Sequence, residues 1–381
     1  MNQLAALIQS LGNPFSALIP EDESRAQALF QALLDEGNQH RQSTWAAHMT
    51  PAVEPTALLG QLLAGLHNGN LLSAELYPHL SAIESQLINW FCPLFHQHHG
   101  HFTHGSSYAN LEALWQARDR QQNHSNIVYG SEASHYSIAK ACQILGLQFQ
   151  AIPSDDQGKI QIDALEKACQ HTSPVAIVAT AGTSSCGAID DLYACIEIAQ
   201  RVGCWCHIDA AWGGAIQLLN HSELQLNIKG ADSVCFDPHK ALGQPKPCSL
   251  LLYQEPLDPI SGLDYLTSSP RKTLAGSYGG ELFLPLWCSL QLDKQGLLDR
   301  LRYRLEQAKH FALMLAKNTN WQVWHSETGI VCFNPASDCA ELAQSTSFST
   351  AKINGKTVMR AVFASHTTSA EELFTELVAY L

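Results

Sequence analysis

The sequence reads WCHIDAAWGGAI over residues 205–216 and ADSVCFDPHKALGQPKPCSLLLY over residues 231–253, and these two segments decide the fold. Each contains a short apolar strand that leads into charged residues: Asp209 ends the first strand, and Lys240 follows the second. Parallel strands in α/β proteins place ligands at their carboxyl ends, so Asp209 and Lys240 are expected to face one crevice. The two segments therefore predict a ligand site that combines a carboxylate and an amine.

This pair of groups suits pyridoxal phosphate (PLP) as the ligand. The amine of Lys240 can form a Schiff base with the cofactor, and the carboxylate of Asp209 can keep the pyridine nitrogen protonated so that the ring accepts electrons. Most lysines that follow a loop are surface residues without a chemical role. The position of this lysine beside a second charged strand end favours the cofactor role instead.

The composition describes a globular protein with a large core. The chain has 381 residues, of which 46% are hydrophobic and 15% charged, enough for one large domain and a smaller one. Its net charge of −13, with dispersed lysines and arginines, argues against nucleic acid or an anionic membrane as a partner. No apolar run approaches the length of a membrane span, and residues 1–12 lack the pattern of a signal peptide, so we expect a cytoplasmic protein.

Neither the cysteines nor the histidines form a metal-binding motif. The twelve cysteines are scattered and contain no CxxC pair, which predicts reduced, buried thiols. The densest group of histidines lacks the HExxH spacing, and it consists of His96, His98, His99, His101 and His104. We therefore expect no metal site.

The order of predicted elements indicates the fold class. From about residue 100 the sequence alternates between apolar strands and amphipathic helices, which predicts a largely parallel sheet with helices on both faces. The alternation stops after Tyr253, where residues 254–280 form a long polar stretch typical of a functional lid. A helix predicted over about residues 296–317 then leads into a small α/β portion.

These patterns divide the chain into three predicted segments. They are an N-terminal segment over residues 1–60, a large domain over residues 61–295 and a small C-terminal domain over residues 296–381. The N-terminal segment contains a helix with a one-sided apolar stripe, formed by Ala26, Leu29, Phe30, Leu33 and Leu34. Because this helix has little core of its own, we expect it to pack on another subunit or across the main domain.

The DPHK motif at residues 237–240, preceded by HIDAAWGG at residues 207–214, resembles the PLP-dependent group II amino-acid decarboxylases. This is the glutamate and aromatic amino-acid decarboxylase family, and the similarity extends from about residue 48 to the final helix. It implies PLP fold type I (aspartate aminotransferase-like), with a mostly parallel seven-stranded sheet and a small C-terminal α/β domain. It also implies a homodimer with active sites at the subunit interface, in which the N-terminal segment clasps the partner.

The resemblance gives Asp209 as the pyridinium partner and Lys240 as the Schiff-base lysine. It further implies that Ser106 and Ser107, in THGSSYANLEALWQARD at residues 103–119, hold the cofactor phosphate. Physical chemistry agrees, because backbone N–H groups at a helix N-terminus and two hydroxyls form an anion site. Two serines before a helix can also serve only as an N-cap.

Four further residues match cofactor-binding positions of the family. His135 matches a histidine that stacks on the pyridine ring and contributes to proton handling, and Thr183 matches a threonine close to the cofactor. Ala211 lies under the ring in relatives, and His239 lies near the phosphate. Taken alone, His135 could cap a helix and Thr183 could belong to an ordinary turn.

The remaining matches concern catalysis and the substrate. Tyr265 resembles the mobile-loop tyrosine that supplies a proton after carbon dioxide leaves; His135 is the alternative proton donor, and Tyr278 competes with Tyr265 as the loop tyrosine. Arg360 matches an arginine that binds the substrate carboxylate, a task that suits a guanidinium fork, or it is a structural arginine between the domains. His48 and Thr50 lie where relatives line the substrate pocket.

The implied reaction is the decarboxylation of an L-amino acid, with aspartate or glutamate as the first expectation, aromatic amino acids second and basic ones third. Another PLP reaction, such as carbon–carbon cleavage or transamination, and a PLP-binding pseudoenzyme are the alternatives. Two departures from the family bear on the substrate. The segment AGSYGGELFLPLW at residues 275–287 lacks the arginines of relatives, and Ala241 replaces a bulky aromatic residue.

Overall fold

The computed structural model describes most of the chain, namely residues 23–121, 125–219, 225–258, 273–335 and 345–379. Residues 259–272 of the predicted lid, which spans residues 254–280, lie outside these ranges. Within the described residues the chain forms two β-sheets and the helices that cover them.

The larger sheet has seven strands in the order β1-β7-β6-β5-β4-β2-β3. The strands are β1 (His99–Thr103), β2 (Ile127–Ser131), β3 (Gln148–Ile152), β4 (Ala176–Thr180), β5 (Trp205–Asp209), β6 (Ser233–Phe236) and β7 (Ser249–Tyr253). Five neighbouring strands from β6 to β3 are parallel, and β7 runs antiparallel to both of its neighbours. The predicted fold class, a mostly parallel seven-stranded sheet of PLP fold type I, is confirmed.

Helices enclose this sheet and connect its strands. They are α1 (Glu23–Gln39), α2 (Pro55–His67), α3 (Pro78–Leu94), α4 (Ser106–Arg120), α5 (Tyr136–Leu145), α6 (Ile162–His171), α7 (Leu192–Val202), α8 (Pro238–Ala241), α9 (Leu284–Asn318) and α10 (Ala370–Ala379). Every residue of β4, β5 and β6 is buried, as expected for parallel strands covered on both faces. The carboxyl ends of these central strands carry the candidate site.

Local sequence explains where these helices begin and end. The Asp191 side chain accepts a hydrogen bond from the N–H of Ala194 and caps α7, while Gly203 ends that helix with a positive φ of 71°. Gly60 lies on α2 where this helix crosses the start of α9, and a Cβ built there would lie 2.3 Å from the carbonyl oxygen of Leu284. Only glycine permits this close approach.

The smaller sheet contains four antiparallel strands in the order β10-β11-β9-β8. They are β8 (Gln322–Ser326), β9 (Ile330–Asn334), β10 (Ser349–Ile353) and β11 (Lys356–Val362). Helix α9 leads into this sheet and begins at Leu284, well before the predicted start near residue 296. It is broken at Asp293, whose φ and ψ of −153° and 46° are not helical. The division into domains at residue 295 stays a prediction.

The apolar stripe of α1 is not covered by the described part of its own chain. Leu29 is 59% exposed and Leu33 is 65% exposed. Exposed leucines in such a row need another surface. The sequence left two expectations for this helix, packing on another subunit or packing across the main domain. In the described part of the chain, the main domain does not bury the stripe.

The eleven cysteines among the described residues are all free and buried, which confirms the prediction of reduced thiols for them. Across the described ranges, no three His, Cys, Asp or Glu side chains are grouped so that they could hold a metal ion. In the same ranges, no helix is long and apolar enough to cross a membrane.

Candidate active site

Lys240 lies at the carboxyl end of β6, in the short helix α8, and its amine is paired with a buried carboxylate. The distance from Lys240 Nζ to Asp237 Oδ2 is 3.0 Å, and Asp237 is 1% exposed. Burial lowers the pKa of Lys240, but the carboxylates of Asp237 and Asp209 outweigh burial and raise that pKa overall. In this structure Lys240 is therefore an ammonium group whose side chain is 19% exposed.

Asp237 joins this lysine to the start of α4. Its Oδ2 accepts a hydrogen bond from Ser106 Oγ at 2.7 Å and lies 3.6 Å from His239 Nε2. Burial raises the pKa of Asp237, but Lys240 and His239 outweigh it and lower that pKa overall. Asp237 belongs to the DPHK motif, yet the sequence patterns assigned it no role. Its position directly after the buried strand β6, two residues beyond Cys235, is the signal that could have found it.

Asp209 ends β5 and is 5% exposed. Its carboxylate accepts hydrogen bonds from Asn110 Nδ2 at 3.0 Å and from the backbone N–H of Ala211 at 3.2 Å. Cys235 Sγ lies 3.4 Å from the same carboxylate and 3.3 Å from Asn110 Oδ1, so its one proton can be donated to either oxygen. The amide of Asn110 and the backbone N–H of Ala211 thus supply hydrogen-bond donors to this buried group. Asp209 also contributes to the raised pKa of Lys240, so the two predicted residues share one electrostatic environment.

The predicted phosphate-binding serines begin α4. Ser106 is buried and faces Asp237, while Ser107 is exposed. Gly105 precedes them with a φ of +113°, a conformation that favours glycine, and a Cβ there would meet nothing within 4 Å. The open space at the N-terminus of a fifteen-residue helix suits an anion.

His135 is the N-cap residue of α5, so the capping alternative describes its contacts. Its Nδ1 accepts the backbone N–H of Ser137 at 3.3 Å and lies 2.8 Å from Ser137 Oγ. Burial lowers the pKa of His135, and Asp209 partly opposes this. The cap engages only Nδ1. Stacking on a pyridine ring stays a prediction.

Three more residues predicted to bind the cofactor are buried and have hydrogen bonds of their own. Thr183 is fully buried, and its Oγ1 accepts the backbone N–H of Ala188 at 3.1 Å, as in an ordinary strand-end turn. His239 Nδ1 lies 2.7 Å from the carbonyl oxygen of Cys248, to which it can only donate. Ala211 is buried, and its backbone N–H is the donor to Asp209. The roles of all three toward a cofactor stay predictions.

The predicted substrate residues lie on two neighbouring segments. Arg360 on β11 donates from Nη2 to the carbonyl oxygen of Ala47 at 3.4 Å, next to His48. Burial lowers the pKa of Arg360. His48 is exposed, so the segment leaves its ring open to solvent.

Two of these residues have other partners. Thr50 Oγ1 accepts a hydrogen bond from Lys246 Nζ at 3.2 Å. The Thr50 hydroxyl is therefore bound to a lysine and not to Arg360. Tyr278 lies against the core with its hydroxyl 3.5 Å from Glu84 Oε2. Tyr265 lies outside the described residues, so the choice between Tyr265 and Tyr278 as proton donor stays open.

The fold and the site define a class of PLP enzyme, and sequence comparison gives the family. The conserved domain of pyridoxal-dependent decarboxylases matches residues 16–335. The chain belongs to this family. Membership confirms the predicted resemblance, and it confirms PLP as the cofactor of the family and lyase as its enzyme class.

Several curated relatives are similar to the chain over part of their length. Aspartate 1-decarboxylase of Aliivibrio fischeri is 27% identical over 77% of this chain and 64% of its own length. Probable L-tyrosine/L-aspartate decarboxylase of Methanosphaerula palustris is 33% identical over 55% of this chain and 60% of its own length. Human cysteine sulfinic acid decarboxylase is 31% identical over 61% of this chain and 49% of its own length. The chain thus matches about half to two thirds of the length of these relatives.

Solved structures share the fold at low sequence identity. Mouse CSAD superimposes with a TM-score of 0.78 at 22% identity, over 88% of this chain and 83% of its own. Sphingosine-1-phosphate lyase of Burkholderia pseudomallei K96243 superimposes with a TM-score of 0.81 at 18% identity, over 96% of this chain and 94% of its own. At these identities the likeness supports the fold class alone.

Proposed function

We propose that this chain uses PLP to decarboxylate an L-amino acid, giving the corresponding amine and carbon dioxide. The observation that carries the proposal is the amine of Lys240, which is paired with the buried carboxylate of Asp237 and shares an electrostatic environment with the carboxylate of Asp209 at the end of β5. Membership of the pyridoxal-dependent decarboxylase family supports it. When bound, PLP supplies the electron sink for the electrons released as the carbon–carboxylate bond breaks.

The residues present fit this cofactor. Lys240 Nζ is the amine that would attach it, and Asp209 would bind the protonated pyridine nitrogen. The N-terminus of α4, with Gly105 and Ser106, would hold the phosphate through its backbone N–H groups and one hydroxyl. Asp237 keeps Lys240 and Ser106 in place through its hydrogen bonds to both.

His135 orients groups in this site rather than supplying a proton to them. Because Nδ1 accepts the backbone N–H of Ser137, the neutral ring carries its proton on Nε2. Burial lowers the pKa of His135 and so favours this neutral form. A neutral imidazole N–H donates a hydrogen bond but is a very weak acid. The proton that replaces carbon dioxide therefore comes from another group, for which Tyr265 and Tyr278 remain the predicted candidates.

Decarboxylation is tested with the purified protein, PLP and a panel of the proteinogenic amino acids plus cysteine sulfinate. We expect carbon dioxide and the matching amine in equal amounts from an acidic member of the panel. Aldehyde release or amino-group transfer without carbon dioxide would replace the proposal by one of the other PLP reactions. Bound PLP that reacts with no member would indicate a pseudoenzyme.

An acidic substrate is the more specific part of the proposal. Arg360 is a half-buried guanidinium that has the charge the substrate carboxylate needs, and the neighbouring His48 and Thr50 could meet a polar side chain of the substrate. Relatives named for aspartate and for cysteine sulfinic acid support this choice.

Replacement of Arg360 by methionine is expected to raise KM for the acidic substrate by about 10- to 100-fold, the effect of losing hydrogen bonds to a charged group. The Arg360→Lys variant keeps the charge without the planar fork, so its KM should lie between those of the wild type and Arg360→Met. Steady-state kinetics on acidic and neutral amino acids check this. If both variants only lower the melting temperature, Arg360 serves the contact with Ala47 and not the substrate.

Asp237 sets how readily Lys240 becomes a neutral amine. Loss of this carboxylate leaves burial as the main influence on the lysine, so the Asp237→Asn variant should have a lower Lys240 pKa. A lower Lys240 pKa gives a larger fraction of neutral amine at pH 7, so attachment of PLP should become faster. The rate should rise about tenfold for every tenfold drop in the proton affinity of the amine. Stopped-flow absorbance of PLP attachment from about pH 6 to 10, a range around the ordinary lysine value, measures the pKa. An unchanged profile would show that Asp237 does not control the amine.

We also propose that the chain forms a homodimer through α1, as the resemblance implies. The apolar stripe of this helix is exposed, and its described members include Leu29, Phe30, Leu33 and Leu34. A second copy would cover a surface that water contacts in the single chain. Sedimentation at micromolar concentration tests this, and a monomer would contradict it. A cytoplasmic location is proposed on composition alone.

A further inference from the structure

Alternate residues of β5 and β6 place a row of buried polar groups on one face of the sheet. Trp205, His207 and Asp209 share this face of β5, and Ser233 and Cys235 lie beside them on β6. Each of the five is at most 5% exposed. Polar groups this deeply buried need hydrogen-bond partners, and the partners they find form a continuous chain.

The chain is complete from an indole to a carboxylate. Trp205 Nε1 donates to Ser233 Oγ at 2.9 Å, and Ser233 Oγ lies 2.8 Å from His207 Nδ1. His207 Nε2 lies 2.9 Å from Asn110 Oδ1, and Asn110 Nδ2 donates to Asp209 at 3.0 Å. We call Trp205, Ser233, His207 and Asn110 the indole–amide chain.

Donor and acceptor rules give this chain a single direction. Because Asp209 is a carboxylate, Asn110 must turn its N–H groups toward it, so the amide oxygen faces His207 Nε2. Nε2 therefore carries a proton. Burial lowers the pKa of His207 to about 4 although Asp209 opposes this, so the ring is neutral and Nδ1 is an acceptor. Ser233 then donates to Nδ1 and accepts from the indole of Trp205, which can only donate.

The same amide reaches the second cofactor-facing residue. Asn110 Nδ2 also donates to Ser137 Oγ at 3.0 Å, which leaves the Ser137 hydroxyl to donate to His135 Nδ1. One amide orientation thus supplies an N–H to Asp209 and, through Ser137, keeps Nδ1 of His135 an acceptor. If the amide were reversed, its oxygen would face the Asp209 carboxylate.

We propose that the indole–amide chain is a set of positioning residues that fixes the Asn110 amide, and through it the Asp209 carboxylate and the Nε2–H tautomer of His135. The proposal rests on the proposed function, since Asp209 and His135 matter because of the cofactor they would contact. None of the four residues needs to touch the cofactor. They act by presenting a fixed arrangement of hydrogen-bond donors to Asp209 and His135, the two residues that would contact the cofactor.

Two amide replacements of His207 test the direction of the chain. A glutamine places its amide nitrogen close to the position of Nε2 and can still donate to Asn110, whereas an asparagine is too short. We expect the His207→Asn variant to raise the dissociation constant of PLP about tenfold and His207→Gln to stay within about threefold of the wild type. Fluorescence titration with PLP measures this, and the melting temperature of the cofactor-free protein should fall equally in both.

The second test uses the cofactor-free protein, so it does not depend on PLP binding. Nitrogen-15 spectra of histidine-labelled, cofactor-free protein should show the Nε2–H tautomer for both His207 and His135. Ser233→Ala removes one hydroxyl only and should weaken that preference at His207, which also identifies its signals. A proton on Nδ1 of His207, or equal PLP affinities in the two amide variants, would overturn the proposal. A wild-type protein that binds no PLP would instead defeat the proposed function, and the spectra would then decide the hydrogen-bond chain alone.

Discussion

We expect the Lys240→Ala variant to lose both the covalent attachment of PLP and amino-acid turnover. The neutral amine of Lys240 is the group that would bond to the cofactor, and the structure pairs this lysine with Asp237 in an electrostatic environment shared with Asp209. Activity should fall by about 10³-fold or more, the scale seen when a covalent catalytic group is removed. Visible absorbance of the PLP-treated protein and carbon dioxide release measure the two losses.

The same substitution should destabilise the fold, because Asp237 is left buried without its cation. Removal of one partner from a buried ion pair costs about 3 kcal/mol or more. Lys240→Arg is the matched control. It keeps a cation beside Asp237 but cannot provide a neutral amine, so it should be inactive with a melting temperature closer to that of the wild type.

A double variant separates these effects further. Lys240→Ala combined with Asp237→Asn removes both charges and should recover part of the lost stability without recovering activity. If Lys240→Ala retained the wild-type absorbance band, another residue would bind the cofactor and the assignment of Lys240 would be wrong. If Lys240→Arg were active, covalent attachment would not be required.

The sequence predicted the parts of this site that follow from strand ends and missed the parts that depend on contacts across the sheet. Asp209 and Lys240 follow directly after apolar strands, so their proximity needed only the rule that parallel strands end at one edge. Asp237 was visible in the same segment, yet its bond to Ser106 joins residues 131 positions apart. Asn110 lies within a predicted helix, and nothing local marks it as the partner of Asp209.

The fold shows the same division between local and distant information. The mostly parallel sheet follows from alternation of strands and helices, and it was predicted. The start of α9 at Leu284 was missed, because the preceding glycines and Pro285 look like a loop although proline is well tolerated in the first turn of a helix. Whether α1 packs on its own chain or on another depends on surfaces that no periodicity encodes.

The Asp209→Asn variant is expected to keep Lys240 able to attach PLP while losing most of the catalytic rate. An asparagine of the same shape cannot balance a protonated pyridine nitrogen, so the ring accepts electrons poorly. The loss should be at least about 10²-fold in kcat, the scale of removing one fixed electrostatic group from an active site. KM should change much less, because Asp209 is not a predicted substrate contact.

Asp237→Asn is the matched control for this loss, since both variants neutralise a buried carboxylate that raises the pKa of Lys240. The two should differ in kind. Asp237→Asn mainly changes the pH at which PLP attaches, whereas Asp209→Asn has a smaller effect on that pH and in addition lowers the rate after attachment at every pH. Single-turnover kinetics on protein already loaded with PLP separate attachment from the later steps. Equal rates in Asp209→Asn and wild type would show that the carboxylate held by Asn110, Ala211 and Cys235 is structural, and that a different group supports the pyridine nitrogen.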